Sequence, residues 1–80
     1  MTEDIKVDLE LDLRGLRCPL PMVRVSQNIT KVSVGGIVRA VTTDAGSLAD
    51  ITSWARTTGN EIVKKEQVDK DIIFLIKRSK

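Results

Sequence analysis

The chain of 80 residues has no histidine and no tyrosine, a single cysteine, and only two aromatic side chains, Trp54 and Phe74. Each shortage excludes something. Without histidine there is no imidazole base, so Cys–His catalysis of the protease kind is ruled out. One cysteine can form neither an internal disulfide nor a Cys-x-x-Cys redox pair. With no histidine beside it, it cannot complete a zinc cage of ordinary ligands either, and no metal or cofactor is expected. Two aromatics are too few to build a stacking platform for single-stranded bases. Long apolar runs are missing as well: the longest, Ile72 to Ile76, has five residues, against the roughly 20 that span a bilayer. The start, Met1-Thr2-Glu3-Asp4, is acidic and polar, the opposite of a signal peptide's basic and apolar opening. A lone thiol and no export signal together predict a cytoplasmic protein with no membrane association.

Eighty residues make one domain, 1–80, with a thin core and none of the usual staples. The fold must therefore rest on well-patterned packing. The net charge of +2 is too small to mark a nucleic-acid binder. Its distribution says more. Residues 3–12 carry five acids and one cation, whereas residues 13–43 carry five cations (Arg14, Arg17, Arg24, Lys31, Arg39) and no acid. Cys18 lies inside that acid-free stretch. A solvated basic face is the plain explanation, and steering of an acidic partner protein is the functional one.

Residues 7–13, Val-Asp-Leu-Glu-Leu-Asp-Leu, alternate strictly and predict a strand with one buried and one acidic face. After a loop at Arg14-Gly15-Leu16-Arg17, a helix is expected from Pro19 to about Val32. Met22, Val25, Ile29 and Val32 form its apolar stripe, and Val34-Gly35-Gly36 stops it. Ile37 to Thr43 is β-branched and reads as a second strand. A second helix spans about Ser47 to Thr58, with Leu48, Ile51, Ala55 and Thr58 on its buried side. Trp54 borders that stripe as core or rim, with partner docking as its functional alternative. Asp44 or Ser47 caps this helix and Gly59 ends it. Glu61 to Val68 is a polar, edge-type third strand. Asp69-Lys70-Asp71 turns the chain into a fourth, Ile72 to Lys77, whose apolar centre suggests burial on both faces or a central place in the sheet. The cations Lys64, Lys65, Lys70, Lys77, Arg78 and Lys80 read as solvating that hairpin. The order βαβαββ, with a right-handed crossover, predicts an α+β two-layer sandwich: two helices on one face of a four-stranded mixed sheet.

The chemistry concentrates at Arg17-Cys18-Pro19-Leu20-Pro21. Pro19 pushes Cys18 toward extended backbone angles, those of an N-cap, and itself suits the first helical position. Leu20 precedes a proline too, so the first turn should be rigid and irregular. Leu20 and Met22 are the first residues there with amide donors to offer the sulfur. The helix dipole and the charges of Arg17, Arg14 and Arg24 should favour a thiolate or persulfide anion. Reaction at a lower pH than free cysteine is then expected. A poised thiolate with neither a histidine base nor a second thiol suits a group carrier, which takes an atom from one partner and gives it to another. The alternative, a buried and inert cysteine, is the common state of free thiols. Asp44 and Asp50 read as capping and first-turn acids of the second helix, and are kept as secondary site candidates.

Asp12-Leu13-Arg14-Gly15-Leu16-Arg17-Cys18-Pro19-Leu20-Pro21 resembles the Cys-Pro-x-Pro signature of TusA/SirA-like sulfur carriers. The Gly35-Gly36 turn and Thr43-Asp44-Ala45-Gly46-Ser47 followed by Asp50-Ile51 extend the likeness over essentially the whole chain. The resemblance implies a βαβαββ fold and a persulfide on Cys18, with Arg14, Gly15, Arg17, Pro19, Pro21 and Arg24 in support. It implies a sulfur donor such as a cysteine desulfurase or rhodanese-like protein, and an acceptor such as a DsrE-type protein. The relay would serve tRNA 2-thiolation, molybdenum cofactor synthesis or cytoplasmic sulfur oxidation. Ala45, Thr52 and Asn60 depart from residues common in the family (Pro, Pro and His), around the second helix and not at the cysteine loop.

Two other readings compete. The βαβαββ order also suits an RNA-binding or regulatory module using the basic surface around the first helix, although Trp54 and Phe74 both read as core. An enzyme that turns over a small molecule has few acid or base groups to recruit here, so a carrier with sulfurtransferase-type chemistry is favoured.

Overall fold

The computed structural model describes residues 7–79; the acidic start Met1–Asp4 and the terminal Lys80 lie outside them. The elements are β1 (Leu9–Leu13), α1 (Leu20–Asn28), a short 3-10 turn (Ile29–Lys31), β2 (Ile37–Thr42), α2 (Gly46–Thr58), β3 (Glu61–Val68) and β4 (Asp71–Lys77). They form one sheet in the order β1-β2-β4-β3. The crossover through α1 makes β1 and β2 parallel, with Leu11 opposite Ala40. β4 runs antiparallel to both its neighbours, pairing Ala40 with Phe74 and Lys65 with Phe74. The expected mixed sheet and βαβαββ order are present. At 31 × 27 × 18 Å, the shortest dimension suits one sheet and one layer of helices, about 10 Å apart.

Alternation decides which face each strand buries. Leu13 from β1, Val38 and Ala40 from β2, and Ile72, Phe74 and Ile76 from β4 meet Val25, Ile29 and Ile51 from the helical layer in one core. The apolar run of β4 is central in the sheet, but it is not covered on both faces. Ile73 and Leu75 stay half-buried between the buried Ile72, Phe74 and Ile76, because both helices lie on one side. β3 is the predicted edge strand, interrupted by a register shift between Ile62 and Lys64.

Two helical expectations and one at the hairpin need correction. α1 ends at Asn28 and its last turn tightens into the 3-10 turn. The β-branched run Ile29, Thr30, Val32 weakens regular helix there. Val32 is still buried, so the apolar stripe outlasts the helix. Thr58, placed on the buried side of α2, is exposed at its C-terminal end, where its hydroxyl donates to the Trp54 carbonyl at 2.7 Å. Arg78 does more than solvate the hairpin: its guanidinium donates to the Val32 carbonyl at 2.7 Å. Gly36 is required by space alone, since a Cβ there would lie 2.9 Å from both the Ser33 oxygen and Val32 Cβ.

Candidate functional site around Cys18

The loop between β1 and α1 is held by the end of β2. Gly15 takes φ 87°, a left-handed angle that favours glycine, and its N–H donates to Thr43 Oγ1 at 3.0 Å. The Cys18 N–H donates to Asp44 Oδ2. Two side chains that follow β2 therefore fix the backbone on both sides of Arg17. The Cys18–Pro19 peptide is cis.

The first turn of α1 differs from expectation by one residue. Pro19, not Cys18, is the N-cap, and α1 begins at Leu20. The cause is a preceding turn: the Leu20 N–H donates to the Arg17 carbonyl at 2.8 Å. That bond takes the Leu20 donor away from the sulfur. Pro21 sits in the first turn and is fully buried, which anchors the start of α1 to the core.

Cys18 is the one free thiol and it is exposed. Its Sγ–H donates to the carboxylate of Asp50, which reaches it from α2. Asp50 is not a first-turn acid; the first turn of α2 has none. It stands one turn beyond Gly46 on the same helix face. A Cβ on Gly46 would lie 3.6 Å from Cys18 Cβ, so that face of α2 passes directly beside the cysteine. Asp44 is the other carboxylate at the site. It accepts from Cys18 N–H, from Gly46 N–H at 3.3 Å and from Ser47 Oγ at 3.3 Å. Asp44 thus ties the cysteine loop to the start of α2, whose N-cap, Ala45, has no side-chain cap of its own.

These carboxylates reverse the expected electrostatics. The Cys18 thiol is pushed above its ordinary value, first by its hydrogen bond to Asp50, then by desolvation and by the charges of Asp50 and Asp44. A helix end offers only about half a charge, and two full negative charges next to the sulfur outweigh it. The resting side chain is a protonated thiol. The Asp44 carboxyl is held below its ordinary range, chiefly by the Cys18 N–H, with help from Gly46, Ser47 and the charge of Arg17.

The arginines do not all converge on the sulfur. Arg14 makes a two-pronged ion pair with Asp12, at 2.8 and 2.9 Å, which lowers the Asp12 carboxyl to about 2. Arg24 and Arg14 line a groove of about 460 Å³ beside β1 with Glu10, Asp12 and Asn28, away from Cys18. Of the basic candidates, Arg17 is the one whose charge acts on this carboxylate cluster. The sequence kept Asp44 and Asp50 only as secondary candidates and did not show their contacts with Cys18, because both contacts are distant in the chain. The spacing of Gly46 and Asp50 by one helical turn was the signal available.

Asp44→Asn tests the loop anchor. The variant keeps an oxygen acceptor but loses the charge, and charge-assisted hydrogen bonds are about twice as strong as neutral ones. Exchange of the Cys18 amide hydrogen is expected to speed up about tenfold. In the wild type the same protection should be complete above the ordinary Asp value of 3.8 and fade as pH falls through the lower folded value, because a depressed carboxyl stabilises only while ionised. Equal protection in both proteins at neutral pH would show that Asp44 does not hold the loop.

The sequence model of a family described as Sulfurtransferase TusA matches residues 9–78. The chain belongs to the TusA family. Sulfur carrier protein TusA of Allochromatium vinosum is 39% identical over 72 residues, which cover 90% of this chain and 95% of that protein. A longer Aquifex aeolicus protein, named provisionally as a sulfur carrier, is 42% identical over 77 residues; the chain spans 39% of its length. A SirA-like protein of Desulfitobacterium hafniense has the same fold, with a TM-score of 0.78 at 20% identity over 90% of this chain and 99% of that one. No helix among the described residues is long and apolar enough to cross a membrane.

Proposed function

We propose that the protein is a sulfur carrier that holds sulfur as a persulfide on Cys18 and relays it between partner proteins. The observation that carries this reading is the exposed Cys18 thiol on a loop clamped by Asp44, in a chain of the TusA family, whose Allochromatium vinosum member is named a sulfur carrier. In the loading step Cys18 Sγ attacks the outer sulfur of a donor persulfide, R–S–SH. The Sγ–S bond forms, the donor S–S bond breaks, and its electron pair leaves with R–S⁻, which takes up the proton that Sγ gave up. No oxidant is consumed. Unloading is the same exchange with the acceptor's thiolate as nucleophile.

The donor has the chemistry of a cysteine desulfurase or a rhodanese-like protein, and the acceptor that of a DsrE-type protein. Work in the reducing cytoplasm fits a thiol that must stay free. The relay would feed tRNA thiolation, molybdenum cofactor synthesis or sulfur oxidation. A nucleic-acid role finds less support: Phe74 is fully buried and Trp54 is partly buried against the core, so the two aromatics do not form a stacking platform for bases.

Release distinguishes a carrier from a dead-end modification. Protein loaded with radiolabelled sulfur, freed of donor and mixed with an acceptor thiol should hand over its label. Label that stays on the protein after exposure to excess acceptor thiol would overturn the proposal.

A further inference from the structure

We propose that Asp50 is a positioning residue that distinguishes the empty carrier from the loaded one: its carboxylate draws the unloaded thiol against α2, and it lets go when a second sulfur has been added. The inference rests on the carrier reading and concerns how that same site is presented to a partner.

Three features of the site lead there. In the empty state the Sγ–H is the only donor on the side chain, and Asp50 is its acceptor. Asp50 sits in the body of α2, a helix of 13 residues, so the acceptor is fixed by regular structure. The second feature is steric. Loading replaces the proton on Sγ with a sulfur atom at about 2.05 Å, and a hydrogen-bonded Sγ and Oδ2 leave no room for that atom between them. The third is electrostatic. A persulfide is a stronger acid than a thiol, because its S–H bond is weaker and its charge is shared by two sulfurs, so at neutral pH it is an anion. It has lost the donor that Asp50 held and gained a charge that Asp50 repels.

The charged groups facing the sulfur are Asp50 from α2, Asp44 from the β2–α2 connection, and Arg17 from the residue before, whose charge acts on Asp44. The balance at the sulfur is negative, which is tolerable for a thiol and adverse for a persulfide anion. Cys18 is exposed, so rotation about its Cα–Cβ bond carries the outer sulfur into solvent without displacing packed side chains. The empty carrier is thereby drawn in and kept protonated, while the loaded one projects its sulfur.

In the exchange itself the Sγ proton goes to the departing donor thiolate as the Sγ–S bond forms and the donor S–S bond breaks, and the new –SSH group loses its own proton to water. Atoms and electrons balance with the donor persulfide as sole co-reactant.

The test compares alkylation of Cys18 by iodoacetamide in wild type and Asp50→Asn, with the protein empty and then loaded from a small-molecule persulfide. For the empty protein, the pH profile of the variant should shift downward, with about tenfold faster reaction at neutral pH for a shift of one unit. For the loaded protein the two rates should agree within about twofold, persulfide anions being already released. Asp50→Ser should behave as Asp50→Asn does. Coincident pH profiles for the empty proteins would overturn the inference while leaving the carrier reading intact. Equal acceleration of both forms would also overturn it, since Asp50 would then merely shield the site. If neither protein takes up sulfur, the carrier reading fails and this inference with it.

Discussion

Phe74→Ala is expected to destabilise the domain by about 3–5 kcal/mol. Phe74 is 0% exposed and sits on the central strand β4, directly between Ala40 of β2 and Lys65 of β3. Its ring fills the space between the sheet and the helical layer, where Val25, Ile29 and Ile51 belong to the same core. The facing position on β2 is an alanine, so the side chain opposite on that strand is too small to fill the gap. A chain of this size has a total stability of only about 5–15 kcal/mol, so the loss is a large share of it. With a slope of about 1.5 kcal/mol per molar urea, the denaturation midpoint should fall by about 2–3 M. A loss below about 1 kcal/mol would show that the ring does not carry the packing attributed to it.

The same residue illustrates what sequence patterning conveys. The alternation of residues 7–13 and the stripe Met22, Val25, Ile29, Val32 state which faces are apolar, and the structure buries those faces. The run Ile72 to Ile76 states that β4 is central, but not that one of its faces stays open. That depends on both helices lying on one side. Boundaries are less legible because they are settled by single bonds. The Leu20 N–H to Arg17 carbonyl bond delays α1 by one residue.

At the site, the position of Cys18 before α1 and its exposure follow from local sequence, through Pro19 and Gly15. Its electrostatics do not. Asp44 and Asp50 lie 26 and 32 residues away in sequence and reach the cysteine only because α2 packs beside the β1–α1 loop. A reading limited to neighbours sees Arg14, Arg17 and Arg24 and expects a thiolate. The fold turns Arg14 to Asp12 and brings two carboxylates to the sulfur, and these keep it protonated.

Cys18→Ser is the second substitution of large expected effect, here on function with the fold preserved. A serine hydroxyl can still donate to Asp50, and the backbone N–H still meets Asp44, so thermal unfolding should be nearly unchanged. An alcohol oxygen is far too weakly acidic to displace a thiolate from a persulfide, so uptake should vanish. Intact-mass spectrometry after incubation with a persulfide donor reads this directly. Wild type should gain one or more sulfur atoms that a reductant removes, and Cys18→Ser should gain none. Equal, reductant-labile gain on both proteins would place the carried sulfur somewhere other than Cys18.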